Sequence, residues 1–270
     1  MDFVPSSSSR HVLSVAPMIR CTDRHWRYMM RQITRKTLLF SEMVMDDTLI
    51  HNTKRLEQFI GHESVEYPLV LQLGGNTPDK LGEAAYICES YGAFDEINLN
   101  CGCPSNKALK AGFGAELMLE PELVRQLVAS MKRRVTHTDV SVKCRIGVTD
   151  RESYEHLTEF VQAVKSGGVN HMIIHARSCV LKGLSPAQNR SIPPLHPEVV
   201  HTLVRDFPDM TFAMNGGICD FDTAKMHLGL LDVDDSVPEE YRYVSFSKLI
   251  ILSTYYNIDS CTLQTLCIVS

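Results

Sequence analysis

The stretch INLNCGCPSNKALKAGFGAELM, residues 97–118, sets two cysteines one residue apart just after a short apolar run. Three chemistries suit cysteines there. Metal ligation needs partners at ligand spacing, and Cys101 lies too close to Cys103 along one turn for a normal tetrahedral pair. A disulfide between them would be strained. The third is proton transfer: an unperturbed thiol titrates near about 8.5, so at neutral pH it is mostly protonated and can act as an acid. Cys101 falls within the apolar run and suits a small buried side chain. Cys103 follows Gly102 and precedes Pro104, in a loop past the run, where an acid is more readily placed. Other polar residues recur in similar settings. Lys143 has Val142 and Ile146 nearby, and a buried ammonium needs an anion or a lone pair unless it snorkels from a strand end. His175, between Ile174 and Ala176, suits a satisfied core histidine or a ligand contact. Asn215-Gly216-Gly217 reads as a plain turn or as backbone N–H groups offered to a phosphate. Gln72 and Asn100 suit polar plugs in a core as well as a ligand edge.

The elements that must position these residues alternate. Apolar runs at 11–18, 37–44, 67–75, 95–102, 140–147, 171–178 and 210–218 read as strands. Between them lie amphipathic stretches. Residues 23–36 place Trp26, Met29, Met30 and Ile33 at helical spacing, and 77–92 open with Thr77 as N-cap and Pro78 at N1. Pro121 opens a helix whose last turn is basic, and 153–168 and 197–207 complete the series. Continuous apolar strands alternating with helices mean a parallel sheet covered by helices. Seven such strands predict a (β/α)8 TIM barrel, with the polar residues at the strands' C-terminal ends, where barrels build their sites. The expected barrel is incomplete at its eighth strand. No glycine follows Gly229, so the usual phosphate-binding turn has no counterpart. The run LIILSTYY, 249–256, is available as a substitute strand.

The chain has 270 residues, 44% hydrophobic and 22% charged, which suits a globular domain. No run reaches the roughly 18 apolar residues of a membrane span, and residues 1–10 lack an apolar signal core. A cytoplasmic or organellar protein is expected, not a secreted or membrane-bound one. Nine cysteines without a C-x-x-C pair suit a reducing compartment and no metal. The net charge of −5 argues mildly against a nucleic-acid partner, although a local basic patch is invisible in a sum.

The motifs APM at 16–18, LQLGG, INLNCGCP, VKCRIG, IIHAR and MNGGI, in this order, resemble the tRNA-dihydrouridine synthase family. The loop LKGLSPAQNRSIPPL, 181–195, is similar to its DusA-like branch, which acts at U20 and U20a of the tRNA D-loop. The resemblance covers roughly residues 10–228. It implies a flavin-binding barrel that reduces uridine to 5,6-dihydrouridine with FMN as cofactor and NADPH as reductant. It places Pro17, Met18, Ile19, Gln72, Asn100, Lys143 and His175 around the flavin, and Asn215, Gly216 and Gly217 on its phosphate. Cys103 matches the general acid that protonates C5. Lys107, Lys110, Arg145, Arg177, Lys182, Gln188 and Arg190 are the expected RNA contacts. The implied partner is tRNA, with the protein a monomer. In domain terms, 1–10 read as a disordered leader and 11–228 as the catalytic barrel. Residues 229–270 read as an atypical tail replacing the last barrel unit and the family's helical tRNA-binding domain. Two alternatives stay open: an FMN barrel that reduces a free pyrimidine, and a non-catalytic truncated barrel.

Overall fold

The computed structural model describes residues 13–92, 94–149, 151–228 and, as backbone, 249–253. Eight parallel strands close into a barrel in chain order. They are β1 (Leu13–Val15), β2 (Leu38–Met45), β3 (Leu69–Gly74), β4 (Glu96–Cys101), β5 (Asp139–Arg145), β6 (His171–His175), β7 (Thr211–Asn215) and β8 (Leu249–Ser253). The barrel expectation holds, and all seven apolar runs become strands. The eighth position is taken by the substitute strand that the run 249–256 offered. The apolar run 249–253 pairs with β7 from Phe212↔Leu249 to Asn215↔Leu252, and with β1 from Leu13↔Ile251 to Val15↔Ser253. An unpaired edge on β1 and β7 would leave backbone N–H and C=O groups without partners, and a short apolar strand satisfies both edges. The ladder therefore reaches past the expected domain boundary at 228. The leader at 1–10 and residues 229–248 and 254–270 of the tail lie outside the described residues.

Two cores result from the period-two alternation along the strands. Inside the barrel a small apolar layer comprises Ala16, Phe40, Val70, Ile173 and Ala213. Outside it, residues such as Leu71, Leu99, Val142 and Ile174 join helical Leu81, Leu127, Phe160 and Leu203 in the main core. The covering helices include α1 (Arg24–Ile33) and, between β3 and β4, Pro78–Tyr91. Two helix details depart from the sequence reading. Thr77 makes no side-chain cap, its hydroxyl instead lying 3.4 Å from Asn76 Oδ1. On α1 the inward face includes Arg27 and Arg31 beside Met30, while Met29 is exposed. Arg27 Nε donates to Glu66 Oε2 at 2.7 Å, and Arg31 donates to the carbonyls of Thr34, Thr37, Glu66 and Pro68.

Candidate active site

The strands' C-terminal ends open onto a cavity of about 300 Å³. Period-two alternation puts Glu96, Asn98 and Asn100 of β4 on one face and Ser141, Lys143 and Arg145 of β5 beside them, with register Asn98↔Ser141 and Asn100↔Lys143. A chain of amides and hydroxyls fills the barrel beneath the cavity. Asn100 Nδ2 donates to Gln72 Oε1 (2.9 Å), Gln72 Nε2 to Asn98 Oδ1 (2.8 Å) and Asn98 Nδ2 to Ser141 Oγ (2.7 Å). Ser141 in turn donates to Glu96. This network fixes Asn100, whose Oδ1 accepts from the backbone N–H of Gly102 (3.1 Å) and of Cys103 (2.9 Å).

The loop bearing Cys103 is thus tethered. Arg145 Nε donates to the Gly102 carbonyl at 3.1 Å, and the Cys103 carbonyl accepts from Ala115 N–H at 3.0 Å. Gly114 has φ +73, and a Cβ there would stand 2.6 Å from the Cys103 carbonyl oxygen, so only glycine fits this close approach. The Cys103 thiol lies 3.4 Å from Ser105 Oγ, and Ser105 caps the helix Asn106–Lys110. Cys101 is fully buried, and burial pushes its thiol pKa well up.

Across the cavity, Asn215 Oδ1 accepts from Lys143 Nζ at 2.9 Å and lies 3.1 Å from His175 Nδ1. Burial, and then the Arg145 guanidinium, lower the Lys143 pKa to about 7. Burial, with Arg145, Lys143 and Arg177 adding to it, holds His175 well below the usual imidazole range, so it is neutral. An oxygen that already accepts from Lys143 fixes the His175 tautomer with Nδ1 as donor, leaving Nε2 an acceptor. That Nε2 is buried and has no hydrogen-bond partner. It is an orphan that a ligand's N–H or O–H group would satisfy.

The cavity gathers Pro17, Met18, Ile19, Gln72, Asn100, Cys103, Lys143, Arg145, His175, Arg190 and Asn215 of the residues singled out from sequence. Gly216 and Gly217 do not line it. Both have positive φ, a backbone conformation that favours glycine without any ligand. Lys107, Lys110, Lys182 and Gln188 are also outside the wall, with Gln188 Oε1 accepting from Ser185 N–H at 2.8 Å. Arg177 donates to the Pro193 carbonyl, and its Nε is buried without a partner. Arg145 lines the cavity but is 3% exposed, its Nε and Nη1 donating to main-chain carbonyls. Three features escaped the sequence reading. Cys21 lines the cavity, its thiol pKa raised by burial and then by Glu42. Arg20 carries φ +64, and its N–H donates to Glu42 Oε1 at 2.5 Å. Asn189, fully buried, holds the loop 180–185 through Val180, Leu184 and Ser185. An asparagine inside a polar loop carries no periodicity, so only its place between Gln188 and Arg190 could have drawn notice.

Fold and site together define an eight-stranded parallel barrel with a tethered thiol facing a cation–amide–imidazole cluster. The chain matches the family model for dihydrouridine synthase (Dus) over residues 14–236. The tRNA-dihydrouridine(20/20a) synthase of Synechocystis sp. is 44% identical over 232 residues, 86% of this chain and 68% of that protein. Those of Vibrio parahaemolyticus (48% over 221 residues) and Pseudomonas putida (44% over 228) cover 82% and 84% of this chain and 66% of their own lengths. The chain belongs to the dihydrouridine synthase family, and it spans about two thirds of the length of these relatives.

Proposed function

We propose that this chain reduces uridine to 5,6-dihydrouridine in the D-loop of tRNA, at U20 and U20a, with FMN as bound cofactor and NADPH as reductant. The observation that carries the reading is the tethered Cys103 thiol sharing one cavity with the Lys143–Asn215–His175 cluster. Saturating the 5,6 double bond of uracil takes a hydride at C6 and a proton at C5. FMN, when bound, supplies the hydride equivalent. Cys103 holds the proton and delivers it to C5 as a general acid. Lys143, titrating near 7, is poised to place positive charge beside an electron-rich ring edge. The residues fit a flavin: Gln72 and Asn100 offer amides to a polar edge, Pro17, Met18 and Ile19 offer apolar contact, and the orphaned His175 Nε2 accepts a donor.

The target base must leave its stack to enter the cavity. Arg190 at the wall, with Lys107, Lys110 and Lys182 outside it, forms a basic rim for the RNA backbone. Arg177 and Gln188 stand beside it. The decisive measurement incubates the purified chain with FMN, NADPH and an unmodified tRNA transcript, then maps dihydrouridine by mass spectrometry. Dihydrouridine at 20 and 20a is the expected result. Equal turnover of free uracil, or none of tRNA by flavin-loaded protein, would overturn the proposal.

A further inference from the structure

We propose that Arg145 is a positioning residue that locks the Cys103 backbone to the loop over the cavity mouth, so that docking of this loop sets the thiol's place. The inference rests on the reading of Cys103 as general acid. The Gly102–Cys103 peptide is held at both ends. Its carbonyl accepts from Arg145 Nε at 3.1 Å, and its N–H donates to Asn100 Oδ1 at 2.9 Å. The other end of the guanidinium reaches the mouth loop, where Nη1 donates to the Ser178 carbonyl at 3.2 Å and to the Asn189 carbonyl at 2.8 Å. One side chain thus binds three segments lying 43, 33 and 44 residues away in sequence. Only a rigid fork of several donors can do so, since lysine presents a single compact ammonium.

Burial decides between this role and an RNA-phosphate grip. Arg145 is 3% exposed, and its Nε and Nη1 both go to main-chain carbonyls, so the loops rather than a phosphate orient the guanidinium. The mouth loop has its own keystone in Asn189. Its side chain holds Val180, Leu184 and Ser185 while its carbonyl meets Arg145. Pro186 and Arg190 of the same loop line the cavity. A molecule pressing on them is therefore linked to the Cys103 peptide through one guanidinium.

Arg145→Lys tests this through two readouts on flavin-loaded protein. Iodoacetamide labelling of Cys103, followed by mass spectrometry, should quicken by about tenfold, the scale of one lost charge-assisted hydrogen bond. Labelling of the buried Cys88 and Cys144 should stay slow, whereas general loosening would expose all three in step. In parallel, kcat for uridine reduction should fall by about tenfold or more while flavin reduction by NADPH holds its rate. Unchanged Cys103 labelling, or labelling that rises equally at Cys88 and Cys144, overturns the proposal. If Arg145→Lys does not fold, Asn189→Ala decides, because it frees the mouth loop and should raise Cys103 labelling selectively. A wild-type protein inert on tRNA whose variant still shows selective labelling would refute the general-acid reading and leave the lock standing.

Discussion

Cys103→Ala removes a thiol while leaving its loop anchored, because Asn100, Arg145 and Ala115 hold backbone atoms of that loop. The variant should fold and keep its flavin, and lose roughly 10²–10⁴-fold in uridine reduction, as expected for a missing general acid. Dihydrouridine formation under saturating NADPH checks this, and full activity would refute the role. Cys101→Ala, by contrast, removes a sulfur from the buried core and should cost stability more than rate. Lys143 gives a second prediction. Burial and Arg145 bring its pKa from the ordinary lysine value to about 7, so between about pH 7 and about 10.5 the unfolded chain binds a proton that the folded chain does not. That group's contribution to stability therefore rises with pH across the window. Lys143→Met should abolish this rise and raise the Tm of flavin-free protein at pH 7, while lowering activity. Melting curves at pH 7 and 9 decide it, and an equal pH slope in both proteins would count against a strained cation.

At the element scale, α1 is pinned by charge as well as by apolar contact. Arg27 and Glu66 are both nearly inaccessible and meet at 2.7 Å. Arg27→Ala would strand a buried carboxylate, and breaking such a pair costs about 3–5 kcal/mol. Chemical denaturation should register that loss, with Arg27→Lys less harmful. The helix shows what was legible in the sequence and what was not. The strand–helix alternation was readable because each strand's apolar run and each glycine or proline boundary is local. The site was readable as polar residues at strand ends: Gln72, Asn100, Lys143, His175 and Asn215 do converge. Partners distant in sequence were not. Periodicity counts apolar positions, so it says nothing of the buried Arg27 and Arg31, which Glu66 meets from 39 and 35 residues further along the chain. The carbonyl acceptors of Arg145 were not legible either, because they come from three distant positions. The eighth strand was legible only as a candidate apolar run at 249–256, because its register and its pairing with β1 and β7 depend on partners far away in sequence.

For the molecule as a whole, acid tolerance depends on histidines buried as neutral bases. His201 and His227, with ring centroids 5.7 Å apart, lie in the layer outside the barrel, on helices Pro197–Asp206 and Phe221–His227. Burial, and then the neighbouring His201, lower the His227 pKa to about 4. Burial lowers that of His201, against a partly opposing pull from Glu198. His175 is depressed within the site by burial and by the cations around it. Each group gains a proton more readily in the unfolded chain, so the unfolded state binds more protons below about pH 6.5 and stability falls as pH drops through that range. The His227 contribution alone is on the order of 3 kcal/mol, present in full above about pH 6.5 and lost as pH approaches about 4. Thermal melts at pH 7.5, 6 and 5 should therefore show Tm dropping well before the carboxylates titrate. His227→Phe should flatten the curve between pH 6.5 and 5 while leaving uridine reduction at pH 7.5 near the wild-type rate. A His227→Phe curve parallel to wild type would show that the acid sensitivity arises elsewhere, with the His175 cluster the next place to test through a flavin-loaded comparison.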